Sequence, residues 1–123
     1  MSPMVLVVDD DEKCQRLACD VLDFHGFPTV RAGSGEQALA IAETTPIRMV
    51  LMDIQLPGIS GVETFSRLRR MATWKDIPVV VMTASVMPAD RSTLMNEGFS
   101  GFLAKPLAIK DLVSLVRASL PPG

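Results

Sequence analysis

Two apolar runs end in acids. Val5-Leu6-Val7-Val8 leads into Asp9-Asp10-Asp11, and Met49-Val50-Leu51-Met52 leads into Asp53. Carboxylates at the ends of buried strands are costly unless they are paired or bind metal. If both runs lie in one parallel sheet, their acids converge at one edge and form a divalent-cation site around a carboxylate that can be a nucleophile. Two further strand-like runs add polar residues. Val79-Val80-Val81-Met82 is followed by Thr83, and Gly101-Phe102-Leu103-Ala104 by Lys105. Carboxylates, a hydroxyl and an ammonium at one edge form a set suited to phosphoryl transfer. Clustered oxygens suit Mg2+, which would relieve their repulsion and offset charge on phosphoryl oxygens. Asp53 could attack phosphorus to give an acyl phosphate, with Lys105 and Thr83 binding phosphoryl oxygens.

Taken singly, each residue has a plainer use. Asp9 or Asp11 could cap a helix, and Asp11 fits that use best. Asp53 or Thr83 could belong to a turn, and Lys105 could be a solvated lysine. The chemistry rests on the whole set lying at strand carboxyl ends.

The elements that would position this set alternate regularly. Strands are expected over 4–8, 29–32, 48–52, 77–82 and 99–104, and helices over about 12–25, 35–43, 60–71, 88–97 and 107–119. The first helix carries Cys14, Leu17, Ala18, Val21 and Leu22 on one apolar stripe and ends at Gly26. Ser34 fits an N-cap, and Ser60 with Glu63 a capping box. Continuously apolar strands belong in sheets covered on both faces. Strand–helix alternation then predicts a doubly wound α/β fold with a five-stranded parallel sheet, flavodoxin-like, in the order 2-1-3-4-5. In that order strands one and three are neighbours, and the crevice beyond their carboxyl ends is the expected ligand site. No G-x-G-x-x-G follows strand one, and its acids would repel a pyrophosphate, which disfavours a dinucleotide site.

The 123 residues suffice for one domain, spanning 1–123 with a core over about 4–120 and a tail or linker start at 121–123. Apolar residues make up 48 % of the chain, which argues against disorder. A net charge of -2 lacks the basic stripe that nucleic-acid binding needs. No run is long enough to span a membrane, and the N-terminus is not a secretory signal. A cytoplasmic location follows as an expectation. Cys14 and Cys19 face different directions on one helix and suggest no disulfide or metal motif.

The chain resembles the response-regulator receiver domains of two-component signalling. The matching segments are Val5–Asp10, Met52–Gly61, Val81–Ala84 and Phe102–Pro106. Met52-Asp53-Ile54-Gln55-Leu56-Pro57 also resembles single-domain regulators of the DivK kind, and receivers in hybrid kinases share similar wording. The resemblance implies that Asp53 accepts phosphate from a histidine on a kinase or phosphotransfer protein. It implies Mg2+, which Mn2+ can replace, on Asp10, Asp53 and the Gln55 carbonyl, with Asp9 acting largely through water. Thr83 would swing toward the phosphoryl group, and Lys105 would hold one of its oxygens. The Lys105–Pro106 bond would be cis, a choice proline permits. Phe102 would be the switch aromatic, and Gln55 and Ser85 would tune dephosphorylation. The face made by the last two helices and the last strand would read the switch out to a protein target. The chain would remain a monomer or dimerise on phosphorylation.

Two other functions compete. A phosphomonoester hydrolase using Asp53 would want an acid two residues later, where Gln55 stands. A degenerate scaffold would lack part of the active set, and none is missing. The signalling module could stand alone or be the receiver piece of a hybrid kinase or larger regulator.

Overall fold

The computed structural model describes residues 4–71, 77–83, 96 and 98–119. Five strands form one parallel sheet: β1 (Met4–Val8), β2 (Thr29–Ala32), β3 (Ile47–Asp53), β4 (Val79–Thr83) and β5 (Gly101–Ala104). Their order is β2-β1-β3-β4-β5, as the alternating pattern predicts. Four helices lie among the described residues: α1 (Glu12–Phe24), α2 (Gly35–Thr44), α3 (Gly61–Arg70) and α4 (Ile109–Ser119). The helix expected over 88–97 falls almost wholly outside the described residues.

The strands bury both faces, because successive side chains point to opposite sides. Leu6, Val8, Val50, Met52, Val79 and Val81 pack on one side with Ala38 of α2 and Phe65 and Leu68 of α3. Val5, Val7, Met49, Leu51, Val80 and Met82 pack on the other with Ala18 and Leu22 of α1 and Leu112 and Val116 of α4. This two-sided burial explains why the strands read as apolar runs rather than alternations. Phe65 also stacks on Phe99 at 4.1 Å between ring centroids.

The helix starts follow their predicted caps. Asp11 accepts a hydrogen bond from Lys13 N at 3.0 Å, Ser34 from Gln37 N at 3.1 Å and Ser60 from Glu63 N at 3.1 Å. Gly26, just past α1, has φ +86°, the left-handed turn that glycine tolerates best. One expectation needs correcting. The buried stripe of α1 is Gln15, Ala18, Cys19 and Leu22, while Leu17 is 36 % exposed. The helix is rotated so that a polar amide, not Leu17, faces the sheet. The reason lies at the strand ends, where backbone carbonyls need donors.

Candidate functional site

Each strand that borders the crevice ends on a polar residue or is directly followed by one. β3 runs through Asp53 itself, one residue further than its apolar run suggests, and Asp53 pairs in register with Met82 of β4. Asp9 directly follows β1 and donates its amide to Ala32 O at 3.0 Å, extending the β1–β2 ladder. Lys105 directly follows β5, and its bond to Pro106 is cis, as the resemblance implies. Thr83 ends β4 opposite Ala104. The parallel sheet thus brings the ends of β1, β3, β4 and β5 to one edge.

Lys105 ties the set together. Its Nζ donates to Asp53 Oδ2 at 2.6 Å and makes an ion pair with Asp9 Oδ2 at 2.9 Å. Asp9 is 1 % exposed and Asp53 6 %, whereas Asp10 is exposed. Asp53 Oδ1 accepts from Gln55 N at 2.9 Å, and Asp9 Oδ1 accepts from Asp11 N at 2.9 Å. The residues alone did not point to the Asp9–Lys105 pair, because nothing local links them.

The electrostatics follow from one ammonium serving two buried acids. Burial raises the Asp53 pKa above its ordinary value, against the lowering influence of the Lys105 hydrogen bond and the Gln55 amide. For Lys105 burial acts to lower the pKa, but the hydrogen bonds and charges of Asp53 and Asp9 outweigh it and raise it. Cys14 is half-buried beside these acids. Burial first, and then Asp9, push its thiol up to about 12, so it stays protonated.

The acid edge also fits a hard cation. Asp9, Asp10 and Asp53 each present an oxygen, all within 4.8 Å of one another. Asp9 Oδ2 is buried and faces the Lys105 ammonium at 2.9 Å. Three converging carboxylates with a single ammonium between two of them form a donor set for a divalent ion that prefers oxygen.

The Gln55 side chain is exposed beside the acids. Phe102 is half-buried, packs against the core on the α2–α3 side and pairs in register with Val81. Ser85 lies outside the described residues. A cleft of about 480 Å3 opens beside Lys105 between Cys14, Leu17 and Leu107. Two groups near the site went unread in the sequence. Gln15 reaches the end of β1 from α1. Glu36 of α2 accepts from Ile59 N at 3.3 Å and steadies the loop between β3 and α3. Gln15 had a signal, since positions 15, 18, 19 and 22 form a helical face on their own.

Comparison with known proteins agrees with this geometry. A family model described as response regulator receiver domain matches residues 5–117. The polar-differentiation response regulator DivK of Brucella abortus is 31 % identical over 120 residues, covering 98 % of both chains. The chemotaxis response regulator CheY4 of Vibrio cholerae has the same fold, with a TM-score of 0.91 at 24 % identity over 98 % of this chain and 100 % of that one. The receiver domain of the Francisella response regulator 1452 gives a TM-score of 0.86 at 25 % identity, covering 96 % of each. Acids at the ends of β1 and β3, a lysine at the end of β5 and a match along almost the whole length place this chain in the response-regulator receiver family.

Proposed function

We propose that this chain is a phosphoacceptor switch that takes a phosphoryl group from a phosphohistidine donor onto Asp53. The observation that carries the reading is Lys105 Nζ, held 2.6 Å from Asp53 and 2.9 Å from Asp9 at the edge where three carboxylates meet. That geometry pairs a nucleophilic carboxylate with a cation ready to receive a phosphoryl oxygen.

In the transfer, a lone pair on an Asp53 carboxylate oxygen forms the new O–P bond. The N–P bond of the phosphohistidine breaks, and its electron pair returns to the imidazole nitrogen. With the other ring nitrogen protonated, the donor leaves as neutral imidazole, so the step balances. Asp10, Asp53 and the Gln55 carbonyl would hold Mg2+, or Mn2+ in its place, with Asp9 supporting it. Bound there, the cation supplies charge neutralisation for the acids and the phosphoryl oxygens. Gln55 N steadies the Asp53 carboxylate, and Lys105 shifts its hydrogen bond from the carboxylate to a phosphoryl oxygen. The cleft beside Lys105, lined in part by Leu17 and Leu107, offers the donor protein an apolar contact.

Phosphorylation adds charge and acceptor oxygens, which draw Thr83 and Lys105 inward and bias a two-state equilibrium. Phe102, half-buried on β5, then reports the change on its face of the sheet. Ser85 and Gln55 set the dephosphorylation rate by arranging water. The partners are a histidine kinase or phosphotransfer protein upstream and a protein target downstream, in the cytoplasm. No described helix is long and apolar enough to cross a membrane.

The test is labelling with acetyl phosphate or a histidine donor in the presence of Mg2+. The wild type becomes phosphorylated and Asp53→Asn does not. Absence of label on the wild type, or equal label on the variant, refutes the proposal.

A further inference from the structure

We infer that Gln15 is a positioning residue for the acid pair at the end of β1. This rests on reading those acids as a Mg2+ site. Gln15 is 9 % exposed on the inner face of α1. Its Nε2 donates to Asp9 O at 3.1 Å and to Ala32 O at 3.0 Å. Its own amide donates to Asp11 O at 3.0 Å. The Gln15 side chain therefore holds the Asp9 end of the acidic turn, while the first main-chain bond of α1 holds the Asp11 end.

The consequence follows from peptide planarity. Asp9 O belongs to the peptide unit joining Asp9 to Asp10, so fixing that oxygen fixes the plane from which Asp10 departs. Asp9 N is already tied to Ala32 O, and Asp9 Oδ1 accepts from Asp11 N. The turn carrying three consecutive acids is thus pinned at Asp9 and Asp11, on either side of Asp10. Like charges so close repel one another and would otherwise splay the turn. A primary amide has two N–H donors, matching the two carbonyls it meets. No apolar residue of the same size supplies either. The one polar side chain on the buried face of α1 therefore presents Asp9 and Asp10 in one geometry.

The experiment compares the full chain with Gln15→Met, which keeps the length and removes both donors. Ala42→Gly, in α2 and remote from the acids, controls for lost stability. Two quantities are read: Mg2+ affinity by titration calorimetry and hydrogen exchange at the Asp10 and Asp11 amides. Gln15→Met should weaken Mg2+ binding by about ten-fold, as outer partners of metal ligands commonly do. It should also speed exchange at those amides selectively, whereas Ala42→Gly should do neither. Unchanged Mg2+ affinity in Gln15→Met, when the wild type binds Mg2+, overturns the inference. If the wild type itself binds no Mg2+, the cation reading falls, and amide exchange alone decides the positioning claim: selective acceleration supports it and equal exchange overturns it. Should Gln15→Met fail to fold, Gln15→Asn, one methylene short, is read by the same two measures.

Discussion

Replacing Lys105 with methionine isolates the charge balance of the site. The lysine side chain is only 16 % exposed, and it faces the buried carboxylates of Asp53 and Asp9. Its removal leaves two buried acids with oxygens within 4.8 Å of each other. At an effective dielectric of about 20, two such charges repel by about 3.5 kcal/mol. Breaking a buried ion pair by deleting one partner costs a similar amount, about 3–5 kcal/mol. For a chain of this size each kcal/mol moves the melting temperature by roughly 3–5 °C, so Lys105→Met should melt on the order of 10–20 °C lower without Mg2+. Adding Mg2+ should stabilise the variant more than the wild type, because the cation then supplies the missing positive charge. The double variant Lys105→Met/Asp53→Asn should recover part of the loss, since one acid of the repelling pair is gone. The assay is thermal and urea denaturation with and without Mg2+. A Lys105→Met protein as stable as the wild type without Mg2+ would refute the claim that one ammonium balances both acids. Failure of the double variant to recover any stability would refute the assignment of the cost to acid repulsion.

Three further outcomes follow from particular contacts. Burial raises the folded-state pKa of Asp53, so the folded protein holds that proton more tightly than the unfolded chain. The stability this contributes is present below the unfolded aspartate pKa of about 4 and is lost as pH rises through the folded value. Asp53→Asn should therefore gain stability relative to the wild type as pH is raised from acid to neutral, measured by urea denaturation across that range; a constant difference would contradict it. Gly61→Ala would place a Cβ 2.6 Å from Asp53 O and 2.8 Å from Ile54 Cα, both main-chain atoms. Such crowding should cost about 1–3 kcal/mol in denaturation and slow labelling of Asp53 by shifting its strand end. Asp11→Ala removes the N-cap of α1 and should cost about 1 kcal/mol in urea denaturation while leaving phosphorylation of Asp53 intact.

The elements were legible because their signals are local. Val5–Val8 and Val79–Met82 are runs that only a doubly covered strand buries without waste. Ser34, Ser60 and Asp11 cap their helices through neighbours three residues away or fewer, so their roles can be read along the chain. The buried stripe of α1 departs from its hydropathy pattern for the opposite reason. Leu17 is apolar but points outward, and Gln15 is polar but buried, because the carbonyls of Asp9, just past β1, and of Ala32 in β2 meet its amide. No pattern of hydropathy encodes where those carbonyls will be.

The site divides in the same way. The residue types were determined by the sequence itself: acids after β1 and at the end of β3, a threonine ending β4 and a lysine after β5. Strand alternation also determined that these ends share one edge, since parallel strands with right-handed crossovers place all their carboxyl ends together. Which groups touch was decided only by the tertiary structure. Lys105 meets Asp9 as well as Asp53, Asp9 is buried while Asp10 is exposed, and Gln15 holds the turn between them. These pairings join residues far apart in the chain. They depend on strand register and helix rotation, which packing of the whole sheet settles and no single segment carries.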